Sequence, residues 1–464
     1  MKRREFLGVA ASAAGVLIMP ARVRGAGTRP QRLVAAQGKQ PLVGAGNPST
    51  DVWSYNGAVP GPELRYRQGE RLRIEVENAL GAETTVHWHG IRLPNAMDGV
   101  PHLTQKPIAA GGGRFLYEFD LPDAGTYWYH PHLGSPEQVG RGLYGPLIIE
   151  EREPPEVDRD VVWVLSDWRL DREARIVPDF MNFMDASHAG RIGNTVTVNG
   201  AIRESFTVRA GERIRLRLIN ASNARIYGLS FEGHAPQLIA FDGQPVAPKA
   251  AERVVLGPAQ RADLILDCGG APGSRHRVVD NFYERRAYRL LDLAYSPEDP
   301  LRREFPPVPR LAANPAPVAN LASAERHSIV FGGGMMGDMP GGMGGMMGGG
   351  MMGGGRGRMI WTVNGKAVPE HDHAHEPLLR LARGRSYVLE LVNDTAWHHP
   401  IHVHGHVFSV ISGRQKDTSG DTVLIDPRTR AEIAFVADNP GNWMLHCHVL
   451  EHQASGMMST FRVA

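Results

Sequence analysis

The segment His446-Cys447-His448-Val449-Leu450-Glu451-His452-Gln453-Ala454-Ser455-Gly456-Met457 gathers imidazole, thiolate and thioether donors in one short stretch. A thiolate with two imidazoles and a weak thioether is the ligand set of a blue-copper electron-transfer centre. Successive side chains of a strand project to opposite faces, so His446 and His448 should point one way and Cys447 the other. One strand could then serve two metal sites, with His452 and Met457 near enough in sequence to join Cys447.

Three further motifs carry paired histidines: His87-Trp88-His89-Gly90, His130-Pro131-His132, and His399-Pro400-Ile401-His402-Val403-His404-Gly405-His406. Each His-x-His pair puts two imidazoles on one strand face. Brought together, four such pairs would enclose several metal ions. Zinc is disfavoured, because its structural sites saturate at four ligands and its catalytic sites use about three protein ligands. His399 precedes His402 by three residues, an odd offset that turns it toward the Cys447 side. A single His-x-His is more often a surface or core-edge pair; four of them in matched positions point to metal.

The positions match because the chain repeats itself. Asn56-Gly57 precedes Gly69-Glu70-Arg71, Asn199-Gly200 precedes Gly211-Glu212-Arg213, and Asn364-Gly365 precedes Gly384-Arg385. In each copy the glycine opens an alternating apolar and polar run, such as Arg213-Ile214-Arg215-Leu216-Arg217-Leu218, that reads as a strand. Nine residues separate Gly69 from Asn78, Gly211 from Asn220 and Gly384 from Asn393, and nine more reach His87, Leu229 and His402. Gly125 and Gly441 each stand five residues before His130 and His446. Three homologous β-domains follow, with the first and third supplying histidines from equivalent strands to a site where they meet, and the middle one structural or shaping an access path.

These four motifs resemble those of the multicopper oxidases, specifically the laccase-like, three-domain bacterial branch built from cupredoxin domains, over nearly the whole mature chain. The resemblance implies an all-β fold of three cupredoxin-like Greek-key β-sandwich or barrel domains, with copper as cofactor: one type 1, one type 2 and a type 3 pair. It implies that His399, Cys447, His452 and axial Met457 hold the type 1 copper, His87 and His402 the type 2 copper, and His89, His130, His132, His404, His446 and His448 the type 3 pair. Electrons from a reducing substrate would pass singly from the type 1 site through Cys447 and its flanking histidines to the cluster, where dioxygen becomes water. Asp98, in Met97-Asp98-Gly99-Val100-Pro101, and Glu451 are the expected catalytic acids, supplying or relaying protons.

Composition agrees with such a fold. The chain has 464 residues, too many for one ordinary domain, with 54 Gly and 34 Pro favouring short strands joined by turns. The expected organisation is a signal peptide at 1–26, domain 1 at 37–153, domain 2 at 154–310 and domain 3 at 320–464, with a Met/Gly-rich insertion at 332–358 and proline-rich linkers between. A net charge of +2 gives no reason to expect nucleic acid or an anionic membrane as partner. The two cysteines, Cys268 and Cys447, provide no disulfide framework, and Cys268 reads as a small buried hydrophobe at a strand end. Arg3-Arg4 ahead of an apolar run to Met19 resembles a twin-arginine export signal, too short to anchor in a bilayer, which predicts a periplasmic or secreted protein.

The expected partners are dioxygen and small reducing substrates, acting on a monomer, with Cu(I) as a further partner at the methionines between Met335 and Met352 because thioethers favour cuprous ion. The bland reading of that tract is a disordered insertion. His371-Asp372-His373-Ala374-His375-Glu376 reads as an exposed polar turn. Three functions remain open: a laccase-like oxidase of phenols, aryl amines or low-valent metal ions; a dedicated cuprous oxidase in copper tolerance; and a non-catalytic copper-binding or assembly protein on the same scaffold.

Overall fold

Each Asn-Gly pair makes the tight turn that its chemistry predicts. Asn56, Asn199 and Asn364 adopt φ of 53, 52 and 48°, and the following glycines φ of 77, 71 and 74°. Two consecutive left-handed residues form a type I′ turn, whose twist suits the flanking strands. Each asparagine Oδ1 also accepts from a backbone amide of the strand that opens its own domain: Val34 at 2.7 Å, Val164 at 2.8 Å and Val330 at 2.7 Å.

The computed structural model describes residues 22–24, 30–44, 46–335, 359–369 and 376–464. The export signal apart from Arg22–Arg24, the methionines from Met336 to Met352, and residues 371–375 of the polar turn lie outside the described residues.

The strands after the repeat glycines, Arg71–Asn78, Arg213–Asn220 and Ser386–Asn393, occupy the same place three times. Each runs parallel to its domain's opening strand, respectively Gln31–Gln40, Arg159–Trp168 and Glu325–Gly333. On its other side each pairs antiparallel with Gly113–Asp120, Arg261–Asp267 or Arg430–Val436. The closing asparagines then fold their amides back onto later backbone. Asn78 reaches the carbonyls of Ala82, Ile108 and Ala109, Asn220 those of Arg225 and Leu256, and Asn393 those of Trp397, Ile425 and Asp426. Among the described residues a second sheet faces each of these, giving six sheets in three successive pairs and an all-β molecule of three cupredoxin domains.

The second sheets carry the histidine motifs. His87–His89 pairs with Gly125–His130, setting His87 opposite His130. His399–Val403 pairs with Gly441–Cys447, setting His402 opposite His446 and Ile401 opposite Cys447. Since the two faces alternate, His402 and His446 share one side while Cys447 shares the other with His399. In the middle domain the equivalent strand is Tyr227–Phe231, and Leu229 takes the place of a histidine, buried in that domain's own apolar core. Apolar side chains of the first and third domains form one continuous cluster that includes Trp88, Ile401, Cys447 and Met457.

The alternating run Arg213–Asn220 predicts one polar face, and the structure buries all eight residues. Its arginines do not meet water: Arg215 binds Glu151 at 2.6 and 2.8 Å, and Arg217 binds Asp160 at 2.7 and 2.8 Å and Thr126 Oγ1 at 2.9 Å. The polar face of the middle sheet is a junction with the first domain.

Candidate metal centres

Sequence neighbours His446, Cys447 and His448 end in two different places, as the strand alternation requires. Cys447 Sγ lies 3.4 Å from His399 Nδ1 and 3.7 Å from His452 Nδ1, and the two nitrogens are 3.2 Å apart. The far ring nitrogens are taken: His399 Nε2 by Thr395 Oγ1 at 2.8 Å, and His452 Nε2 by the carbonyl of His188 at 2.6 Å. A neutral imidazole has one N–H and one lone pair, so rings that donate outward turn their lone pairs toward Cys447. Met457 is fully buried, and its backbone exchanges hydrogen bonds with Cys447 and His452, both at 3.0 Å. Trp361 covers His452, ring centroids 4.1 Å apart, with its indole N–H donating to the Ala186 carbonyl at 2.6 Å. Burial pushes His399 down, His452 down to about 3, and the Cys447 thiol up. Both imidazoles are therefore neutral, and the thiol has to give up its proton to serve as a metal ligand.

The other eight histidines meet between the first and third domains. His89 stacks on His402 with centroids 3.8 Å apart, and His87 lies 4.2 Å from His404. Their outward nitrogens are held by oxygen. His87 Nδ1 donates to the Asp98 carbonyl at 2.7 Å, His402 Nδ1 to the Asp421 carbonyl at 2.8 Å, His130 Nδ1 to the Pro131 carbonyl at 2.9 Å and His446 Nδ1 to the Cys447 carbonyl at 2.9 Å. His404 Nδ1 donates to Asp98 Oδ2 at 2.9 Å, and His89 Nε2 to Asp421 Oδ1 at 2.9 Å.

What faces inward is a set of unpaired donor atoms. His87 Nε2, His89 Nδ1, His130 Nε2, His402 Nε2 and both nitrogens of His448 are buried without a hydrogen-bond partner. His404 Nε2 and His446 Nε2 approach to 3.0 Å, and His132 Nε2 lies 3.4 Å from the latter, although His404 and His446 both donate from the opposite nitrogen. Two lone pairs at that distance repel unless a cation sits between them, and orphaned buried polar atoms are costly. The donor set therefore fits metal ions. Burial, reinforced by neighbouring imidazoles, holds His89, His130, His404, His446 and His448 well below the ordinary histidine value, leaving them neutral and able to ligate.

Ligand-sized groupings are His87 with His402 and His404; His132 with His404 and His446; and His87 with His89 and His130. His448 completes the last side, its ring 5.0 Å from His89 and 5.1 Å from His130. Eleven of the twelve residues expected as ligands thus bring their side chains into two neighbouring centres joined by the His446–His448 segment, and Met457 adjoins the first through its backbone.

The two expected acids differ. Asp98, buried, touches the cluster rings directly, with Oδ1 also 3.3 Å from His87 Nδ1. Glu451 sits on the helix Leu450–Ala454 and faces the middle domain, accepting from Asn223 Nδ2 at 3.0 Å and the Arg191 amide at 3.1 Å. Burial pushes its carboxyl up. Sequence reasoning missed Asp421 and the middle-domain residues around both centres: Arg261, which binds Asp421 at 2.6 and 2.9 Å, Asn223, and His188 through its carbonyl. Only the Gly420-Asp421-Thr422 signature is local, and it carries no repeat or metal motif by which to find it.

Three cupredoxin domains, a buried cysteine–histidine centre and a histidine cluster at a domain boundary define a copper protein with two neighbouring centres. Three multicopper oxidase models match residues 38–154, 159–283 and 350–464. The multicopper oxidase MmcO of Mycobacterium tuberculosis is 30% identical over 447 residues, covering 89% of this chain and 83% of that protein. The crystal structure of a multi-copper oxidase from Pseudomonas thermotolerans superimposes with a TM-score of 0.81 at 34% identity, covering 96% of this chain and all of the other. Laccase-1 of Botryotinia fuckeliana is 28% identical, covering 89% of this chain and 78% of that protein. The chain belongs to the multicopper oxidase family, and so is a copper-dependent oxidoreductase with type 1, type 2 and type 3 copper that uses dioxygen as acceptor.

Proposed function

We propose that this protein is a laccase-like oxidase of phenols, aryl amines or low-valent metal ions. The reading assigns His399, Cys447, His452 and Met457 to the type 1 copper, His87 and His402 to the type 2 copper, and His89, His130, His132, His404, His446 and His448 to the type 3 pair. The single observation that carries it is the placement of Cys447 and its two covalent neighbours in separate donor clusters. When bound, copper supplies one-electron redox steps that together convert dioxygen to water. The chain's part is to hold neutral imidazoles in fixed tautomers, to exclude water from both donor sets and to deliver protons. Asp98, against His87 and His404, and Glu451, beside His452, are the acids proposed for that delivery. Export by the twin-arginine segment, giving a periplasmic or secreted monomer, belongs to the same reading.

The Cys447→Ser variant of the copper-loaded protein should lose the intense blue absorption and dioxygen uptake with a phenol; full retention of either rejects the assignment. Asp98→Asn and Glu451→Gln should keep the blue band and lower turnover about 10²–10⁴-fold, the usual weight of a positioned proton donor, with an altered pH profile. Wild-type turnover and profile in both would remove their role.

A dedicated cuprous oxidase is the second reading, and two contacts of one residue favour it. Met335, the first methionine of the tract, donates its amide to the Ser187 carbonyl at 2.8 Å and accepts at its own carbonyl from Trp397 Nε1 at 2.9 Å, next to the His188 carbonyl that holds His452. Removal of residues 336–352 should abolish Cu(I) oxidation and spare phenol oxidation if this reading is right; unchanged Cu(I) turnover would leave the broader one.

A further inference from the structure

The two acids nearest the histidine cluster are used in the same way from opposite sides. Asp98, in the first domain, holds its own domain's His87 through its backbone carbonyl and the third domain's His404 through its carboxylate, at 2.7 and 2.9 Å. Asp421, in the third domain, holds its own domain's His402 through its carbonyl and the first domain's His89 through its carboxylate, at 2.8 and 2.9 Å. Each acid thus grips the first histidine of its own His-x-His-Gly motif and the second histidine of the other. Each is also a neighbour of glycine, Gly99 after Asp98 and Gly420 before Asp421.

Behind the carboxylates the symmetry breaks. Asp421 is clamped by both terminal nitrogens of Arg261, a fully buried residue of the middle domain. Arg261 also donates through Nε to the Thr126 carbonyl of the first domain at 3.0 Å and lies 3.2 Å from Asp242 Oδ1 in its own. One guanidinium therefore ties all three domains together immediately behind the cluster. A planar fork that keeps its charge at any working pH suits this role, where a lysine would offer only a point charge.

We propose that Asp421, backed by Arg261, is a positioning residue for the copper cluster: it fixes His89 as an Nδ1 donor and His402 as an Nε2 donor, and through Arg261 makes the middle domain part of the metal site. The chemistry is that of a ligand imidazole oriented by an oxygen acceptor on its far nitrogen. Loss of such a partner commonly lowers metal affinity or activity about 10–100-fold. Without the carboxylate, His89 has no charged acceptor for Nε2–H and its ring is free to turn or change tautomer. Thr422 Oγ1, at 3.3 Å from His89 Nε2, is a weaker substitute.

The inference rests on the assignment of His89 and His402 as ligands, and the test separates the two. Asp421→Asn and the charge-neutral pair Asp421→Asn with Arg261→Met are purified, and copper per chain, the blue absorption and the type 2 EPR spectrum are compared with wild type during titration with a copper chelator. The double variant guards against misfolding, since removal of the aspartate charge alone leaves a buried arginine without its main partner. The expected result is a blue band that survives, an altered type 2 spectrum, and cluster copper lost at about 10–100-fold lower chelator concentration in both variants. Wild-type copper retention and EPR spectrum in both would overturn the proposal. His89→Ala, run alongside, should lose cluster copper; if it too retains all its copper, the ligand assignment fails first, whereas loss there with retention in the Asp421 variants rejects the role of Asp421 alone.

Discussion

Burial of neutral imidazole is the chemical cost of both centres, and it shows in how the metal-free protein should respond to acid. His89, His130, His399, His402, His404, His446, His448 and His452 are all held below the ordinary histidine value, with burial as the leading cause. Between the unfolded value of about 6.5 and the lower folded values, the unfolded chain binds more protons than the native one. Stability is then fully present above about pH 6.5 and is lost as the pH falls toward the folded values, about 3 for His452. Urea unfolding of the copper-free protein should show a midpoint that drops steeply from about pH 7 to pH 5, whereas a flat profile would mean that these rings are solvated or already charged. The convergence of the paired histidines and the separation of Cys447 from them were readable from type and spacing, because a strand's two-residue period decides which side chains share a face. Asp421 and Arg261 were not, since each gains meaning only from a contact with a residue over a hundred positions away.

At the scale of the element, the site depends on how loops press against the short histidine strands. The loop carrying Asp98 turns at Gly99, whose φ is 82°, and a β-carbon there would stand 1.9 Å from the Val86 carbonyl oxygen, one residue before His87. The backbone must approach this closely for the Asp98 carbonyl to meet His87 Nδ1. Gly99→Ala should therefore destabilise the protein by more than about 1 kcal/mol and push His87 out of place. Thermal unfolding and copper content of the purified variant measure the two effects, and a variant with normal values of both would show that the loop can shift freely. Repeat positions and turn chemistry were legible here: the Asn-Gly turns, the opening glycines and the closing asparagines recur with the same contacts in all three domains. The short helix Leu450–Ala454, which turns His452 back toward Cys447 and Glu451 toward Asn223, has too few residues for a periodic signal.

The whole molecule is joined by buried charge. Asp263 receives both Arg215 and Arg217, at 2.7 and 3.1 Å, and accepts from Thr126 Oγ1 at 2.6 Å, all three residues nearly free of solvent. Asp263→Ala would leave two guanidiniums short of an acceptor at the junction of the first and middle domains. A loss of about 3–5 kcal/mol is expected, readable by chemical denaturation; less than about 1 kcal/mol would mean that water or other acids replace it. The alternating Arg213–Asn220 run predicts a half-solvated strand because periodicity reports which residues share a face and says nothing of what that face meets. Only the packing of one domain on another turned two surface-like arginines, Arg215 and Arg217, into an interface.

Local and periodic properties were thus determined by the sequence itself: strand alternation, turn residues, a threefold repeat, and donors of the right softness at the right spacing, from which copper and the separation of Cys447 from its neighbours follow. The tertiary structure decided everything that requires two distant segments to touch. It set which ring nitrogen of His87, His89, His402, His404 and His452 faces inward, because that depends on an oxygen supplied by a separate segment or domain. It also brought the middle domain, which has no ligand of its own, against both centres through Arg261, Asn223 and the His188 carbonyl, because a buried imidazole or carboxylate needs a partner and the nearest ones belong to that domain.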